Sequence, residues 1–390
     1  MKRRIIVGLG AVALGVGAVA APASAASTST SAAATPAKPV VVVSGLNNPR
    51  QLAWGPHGLL VAEAGRGSLH PGKNNCFAGP EGQTCVGATG SVSLIAQPGL
   101  TYNARPHRIV TGLLSGAAPD GGSATGSDGV DAQNGSVLIQ QTYFPVQLPH
   151  GLPAWQNGKL LAARHGRLSS VANIAKVELT RNPDGLQVDS DPYAVLALGR
   201  HSSLTADAAA NDLILVRNGK ARPFTVFPLH GCGGHRDPNG CDQESVPTSL
   251  ARGPGNAIYV GELAHFEPGE ARVWKVSATT GKILGYYGKG GTICPSDQTG
   301  FTTVTGVQFG RDGSLYVSEL LGGANGQGDI VKIAPDCTRT SMAVPLPAGL
   351  ALDRHNNVYV SAFSLSDTDG AVPQPGAPAL PPGQVWRVRF

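Results

Sequence analysis

The chain has 390 residues, of which 53 are Gly and 30 Pro, with only 14% charged residues and a formal charge of +5. Residues 1–25 carry three of the 30 cations and none of the 25 acids, so the remainder stands at +2. A near-neutral balance without a basic stripe argues against a nucleic-acid binder, and Gly and Pro at this frequency break a chain into short pieces rather than helices.

In chain order, Lys2, Arg3 and Arg4 precede an almost unbroken apolar run over 5–21, and Ala23-Ser24-Ala25 supplies an A-x-A cleavage pattern. A secretory signal peptide is expected over 1–25. The run is too short and too rich in Gly and Ala for a membrane span, and Arg3-Arg4 sits in a poor twin-arginine context. No Cys follows the cleavage pattern and 385–390 carry no anchor signal. The expected product is therefore a secreted, extracellular protein with no membrane span after cleavage. Residues 26–39 are Ser/Thr/Ala-rich with two prolines, and too few large apolar groups to offset ordering entropy mark a flexible leader.

From residue 40 onward one pattern recurs: an apolar strand, a tight polar-Gly turn, and a second apolar strand often ending in an acid. It occurs at 49–63, 246–262, 304–319 and 346–361, and more weakly at 128–141 and 192–207. Each copy reads as a hairpin whose turn residues tolerate positive φ. Third strands are expected at 91–96, 169–179, 212–217, 271–277, 329–334 and 384–388, and fourth strands at 108–113, 224–227 and 283–287 among others. Four strands at a spacing of roughly 40–50 residues give an all-β fold, a six-bladed β-propeller forming one domain over 40–390. The last copy lacks a fourth strand, and the four valines at 40–43 lack a partner. Placing them together closes the ring and removes an exposed edge.

In such a blade the loops between strands two and three, and those leading to the next blade, share one face. The long insertions nearly all fall there, at 65–90, 115–127, 142–158, 229–245, 263–270, 289–300, 321–328 and 364–383. Binding function concentrates on long loops over a rigid scaffold. The six cysteines suit an oxidising compartment. Local bridges Cys76–Cys85 and Cys232–Cys241 are preferred among 15 possible connectivities, and Cys294 and Cys337 remain by elimination. These last two fall on opposite faces, so either the strand limits slip or the pair stays unbridged. A nine-residue separation is unlike zinc-ligand spacing.

At the repeats the chain resembles NHL-type (TolB-like) propellers, and more narrowly the ScyD/ScyE family of secreted proteins. The matching stretches are GLNNPRQLA at 45–53, VAEAG at 61–65, CFAGPEG at 76–82 with Cys85, VDSDPY at 188–193, and residues 306–319. The resemblance covers most of 40–390 and implies fold and compartment. It implies no biochemical role, since family members have no agreed one. The second blade, at 128–141, departs most from the repeat.

Two sets of residues are candidate sites. Glu63, Asp207, Glu262 and Glu319 end second strands, where symmetry would gather them at the channel mouth. Oxygen ligands from several blades suit a hard cation such as Ca²⁺, or each acid caps loop N–H groups in its own blade. Arg50, Asp128, Tyr193, Thr248 and Thr303 start first strands. They either bind a small polar or anionic ligand, with Arg50 as the charge anchor, or make ordinary inter-blade hydrogen bonds. His150, His201, His230, His235 and His265 lie in separate loops without metal-ligand spacing and read as exposed loop histidines. No nucleophile elbow, Walker loop or zinc-protease motif is present. The leading expectation is a binding or accessory protein that presents its loop-rich face to a small molecule or an extracellular or cell-surface partner. The alternatives are a metal-dependent lactonase or esterase and a passive extracellular scaffold.

Overall fold

The computed structural model describes residues 38–79, 82–230, 244–323, 326–366 and 380–390. The expected signal peptide, most of the leader, Cys232, Cys241 and His235 lie outside them.

The described chain opens with β1 (Val40–Leu46) and then builds six sheets in succession. The first holds β2 (Pro49–Gly55), β3 (Gly58–Glu63), β4 (Cys76–Gly79), β5 (Gly82–Ile95) and β6 (Arg108–Ala117). The second holds β7 (Ser127–Gln133), β8 (Ser136–Gln141), β9 (Lys159–Arg164) and β10 (Arg167–Asn173), and leads into the helix α1 (Ala175–Arg181). The third holds β11 (Pro192–Gly199), β12 (Ser202–Asp207), β13 (Asp212–Arg217) and β14 (Lys220–Val226). The fourth holds β15 (Pro247–Gly253), β16 (Ala257–Glu262), β17 (Val273–Ser277) and β18 (Ile283–Tyr287). The fifth holds β19 (Val304–Phe309), β20 (Leu315–Glu319), β21 (Asp329–Ile333) and β22 (Arg339–Ala343). The sixth holds β23 (Leu350–Leu352), β24 (Val358–Ala362) and β25 (Gly383–Val388), with β1 as its outer strand.

The innermost strands touch in the order β2, β7, β11, β15, β19, β23 and back to β2. The chain is therefore a closed six-bladed β-propeller. Closure is the antiparallel pairing of β1 with β25, which sets Val41 opposite Trp386 and Ser44 opposite Gln384. At the seam between the last and first blades, a Cβ on Gly349 would lie 2.4 Å from the Gln51 Cα and 2.8 Å from the Arg50 carbonyl. Only glycine lets the two inner strands approach so closely.

The core is six inter-blade layers, and the period-two geometry of a strand explains them. On β3, Leu59 and Val61 pack toward the sixth blade, while Leu60 and Ala62 pack toward the second. On β16, Ile258 and Val260 join the third blade, while Ala257 and Tyr259 join the fifth. Second strands are buried on both faces, which is why they read as continuous apolar runs.

The second blade departs from the sequence expectation. Its third strand is β9, not 169–179; that stretch supplies the end of the fourth strand, β10, and most of α1. The two strands join through a tight turn in which His165 and Gly166 have φ of 49° and 73°. A two-residue hairpin needs such φ values, and His before Gly is a weaker turn signal than Asn or Asp. In the first blade, β5 extends beyond its sheet to pair with β4, and this hairpin carries the Cys76–Cys85 bridge.

Cys294 and Cys337 are also bridged, with Cα atoms 5.6 Å apart. After β18 the chain turns at Gly288–Gly291 and doubles back, the Ile293 N–H reaching the Tyr286 carbonyl at 3.3 Å. The insertion thus carries Cys294 toward the turn between β21 and β22, where Cys337 sits. Asp297 follows it and meets Arg339 at 3.0 Å. The loop crosses the flank of the blade, which resolves the apparent conflict of faces.

Candidate functional site

Five of the six inner strands begin with the same distortion, β23 being the exception. Register slips by one residue between Ser127 and Gly129, Pro192 and Ala194, Pro247 and Ser249, and Val304 and Gly306, with a comparable shift after Pro49. Such a bulge leaves one residue outside the ladder and re-aims its side chain. The bulged residues are Arg50, Asp128, Tyr193, Thr248 and Thr305. Thr305, two residues on from Thr303, therefore holds the fifth-blade position. Thr303 instead turns its backbone, with φ 53°, and its hydroxyl accepts the Leu321 N–H at 2.8 Å.

Bulged side chains of the fourth and fifth blades stitch neighbours together. The Thr248 hydroxyl donates to the Val304 carbonyl at 2.5 Å, and that of Thr305 to the Pro347 carbonyl at 3.0 Å. The Ser361 hydroxyl continues the ring to the Arg50 carbonyl at 2.7 Å.

Blades one to three differ. Arg50, Asp128 and Tyr193 are 0%, 0% and 3% exposed, so all three side chains lie buried. The Arg50 guanidinium donates to the Ala124 carbonyl and faces Asp128 Oδ1 across 3.4 Å. Asp128 Oδ2 accepts from the Thr125 hydroxyl at 3.0 Å and the Gly126 N–H at 2.9 Å. Burial pushes the Asp128 carboxyl up despite Arg50. Asp191 beside it is held well above the ordinary carboxylate range by burial and by the charge of Asp128; the Thr142 hydroxyl donates to its Oδ1. Asp191 Oδ2 is buried without a hydrogen-bond partner, Asp128 Oδ1 has only its ion-pair contact with Arg50, and the Tyr193 hydroxyl interacts only with Arg50. This is unusual for native polar groups. Asp191 and Thr142 belong to the cluster although neither starts a first strand, so the repeat pattern could not single them out.

Asn48 fastens the loops on this side: its amide donates to the Gly65 and Gly121 carbonyls at 2.8 and 2.9 Å. The Ser123 N–H reaches the Leu365 carbonyl at 3.0 Å.

Beyond the bulges lies a cavity of about 220 Å³, lined by inner-strand residues of all six blades, among them Gln51, Asp131, Leu250, Gln308 and Ala351. Its inner end is bounded by Gln51 and Gly306, next in sequence to Arg50 and Thr305. Exposure rises toward Trp54, which is 39% exposed, so it opens on the short-turn face. Gln51 is anchored by its amide to the Thr248 carbonyl at 2.8 Å, and Asp131 accepts the Ala197 N–H at 2.7 Å.

The four second-strand acids each sit within their own blade. Glu63 accepts the Asn47 N–H at 2.8 Å, the Ser93 hydroxyl at 2.6 Å, and the Arg108 guanidinium at 2.7–3.2 Å. Asp207 accepts the Asp191 N–H at 2.7 Å and the Ser190 hydroxyl at 2.6 Å, and burial pushes it up to about 7. Glu262 accepts from the Ser245 hydroxyl and the Trp274 indole, and pairs with His230 at 2.8 Å. His230 is 1% exposed, which corrects its reading as an exposed loop histidine. Glu319 accepts the Thr302 N–H and lies against Asp329. Among the described residues no three His, Cys, Asp or Glu side chains converge on a metal-binding point.

The sequence matches no protein-family model and no curated protein. Among solved structures it is similar to a streptogramin B lyase, with 11% identity, 90% of this chain and 96% of that one covered, and a TM-score of 0.46. It is also similar to a luciferin-regenerating enzyme, with 11% identity, 91% and 96% covered, and a TM-score of 0.48. A third is a putative gluconolactonase, with 11% identity, 91% and 92% covered, and a TM-score of 0.43. Likenesses this distant carry nothing about substrate or site.

Proposed function

We propose that this chain is an exported binding protein that takes a small polar molecule into its axial channel. One observation carries the reading: a cavity of about 220 Å³ lined by all six blades stops one residue short of a buried polar cluster in which Asp191 Oδ2 lacks a hydrogen-bond partner. Ligand sites pair a concave wall with a few fixed polar groups, and the small volume limits the guest to a few heavy atoms or a single sugar-sized ring. Gln51, Gln308 and Asp131 offer hydrogen bonds along the wall, and Arg50 and Tyr193 lie beyond its end. The cavity favours the short-turn face for this ligand and leaves the stapled loops on the other face for a protein or cell-surface partner. Export is part of the reading, supported by the sequence of 1–25 and by two disulfides. Kinship with the ScyD/ScyE family rests on the quoted motifs. A lactonase or esterase reading would require catalytic groups to meet in the channel, whereas the recurring acids are engaged within separate blades.

The test is a thermal-shift and calorimetric screen of neutral sugars, polyols and small carboxylates against the wild type and Gln308→Trp, which fills the mouth from the fifth blade. A hit bound by the wild type and lost in the variant supports the proposal. Turnover of an ester or lactone panel, or a hit undiminished in Gln308→Trp, defeats it.

A further inference from the structure

The axial cavity also carries the means to choose among polar guests, an inference that rests on the binding reading above. Among the described residues that line it, Asp131 is the single charged one. Its carboxylate is built into the wall: Oδ1 accepts the Ala132 N–H and Oδ2 the Ala197 N–H of the third blade, each at 2.7 Å. A carboxylate offers about four lone-pair sites, so two N–H groups leave it able to accept more. Burial pushes this carboxyl up, while both N–H groups and Arg252 oppose the rise. An N–H donated to each oxygen favours the charged, acceptor-only form.

No cation lines the cavity to offset that charge. Arg252 donates to the Ala197 carbonyl at 3.2 Å from an exposed position, where salt and water screen it. Arg50, past the inner end, is already matched by Asp128 and the Ala124 carbonyl. A carboxylate entering the channel would therefore meet a like charge and find no partner of its own.

The rest of the wall points to hydroxyl groups. Asp131 only accepts, whereas Gln51 and Gln308 each carry an amide donor and an acceptor. An ammonium group only donates and leaves the amide N–H groups idle; a hydroxyl donates and accepts, and so serves both kinds of partner. Between these polar groups the lining is apolar, with Leu52, Val130, Leu250 and Leu350 among it, which suits the C–H face of a ring. At the open end Trp54 is held in a fixed plane. Its indole N–H donates to the Leu352 carbonyl at 2.7 Å, and its ring meets Tyr359 edge-on at 5.6 Å. The negative face of such a ring attracts the positive C–H edge of a guest.

We propose that the channel selects a neutral, hydroxyl-bearing guest the size of a single sugar ring, and that Asp131 is the group that excludes carboxylates.

The experiment titrates the full chain by calorimetry with matched probes: methyl glucoside and small polyols, the corresponding uronate and aldonates, and the corresponding amino sugar. A neutral probe is expected to bind the wild type, and its carboxylate counterpart to bind at least about tenfold more weakly. This comparison needs no variant. In Asp131→Asn, shown to be folded by its thermal unfolding, the gap should close, because the neutral probe loses an acceptor while the carboxylate loses a repulsion. Trp54→Ala should weaken the neutral probe about three- to tenfold. The proposal is overturned by a carboxylate or an amine bound as tightly as its neutral counterpart, or by a gap that persists in Asp131→Asn. If Gln308→Trp abolishes that binding, the channel reading itself survives. Absence of binding by every probe, or binding indifferent to Gln308→Trp, overturns both.

Discussion

Arg50 shows how one residue can be legible in kind and not in role. Its place at the start of an inner strand follows from the repeat, but its complete burial against Asp128 does not. Breaking such a pair from one side strands the other charge. Arg50→Ala is expected to cost about 3–5 kcal/mol in urea unfolding, and Arg50→Met with Asp128→Leu to recover most of it. The acids that end the second strands were visible as a recurring letter. Their partners were not, because an acid that caps a loop and one that ligates a metal occupy the same place in the repeat. Glu319 gives this a measurable form. Burial and the charge of Asp329 push it from an ordinary 4.5 up to about 8, while Arg339 opposes the rise. The folded state then holds a proton that the unfolded chain releases near 4.5. The associated stability is present in full below that pH and is lost as pH rises toward about 8. Glu319→Gln should flatten this decline in a series of urea melts from pH 4.5 to 8.5.

At the scale of elements, strands were readable where turns carried Gly or Asn and second strands were buried on both sides. The reading failed where local chemistry was quieter. The His165-Gly166 turn hid the β9–β10 hairpin, and the bulges that make Thr305 rather than Thr303 the inner-ring residue leave no mark in an apolar pattern. The doubled-back loop that brings Cys294 to Cys337 also could not be read, because strand order fixes only where a loop begins and ends. The two bridges predict different losses. By the chain-entropy relation, removing Cys294–Cys337, with a separation of 43 residues, costs about 4 kcal/mol. Removing Cys76–Cys85, with a separation of 9, costs about 3 kcal/mol. Paired Cys→Ser variants compared by urea unfolding check the order, and the Cys76/Cys85 pair should leave small-ligand binding in the channel untouched.

The whole molecule is held by its seam. β1 supplies Val42, Val43 and Leu46 to the layer between the sixth and first blades, and it covers the edge that β25 would otherwise expose. A chain lacking residues up to Leu46 should unfold at markedly lower urea and self-associate through the bare β25 edge, as size-exclusion chromatography would show. Six-fold repetition and an N-terminal strand without a local partner made this closure legible from sequence, whereas the axial cavity, which belongs to no single blade, was not. The seam also orders events in time. β1, the first of the described strands, must wait for β25, the last of them, before it can dock, so the ring stays unlocked until β25 is made. Once it is fastened, opening any one sheet strains both neighbours, and β1 and β25 hold each other in place.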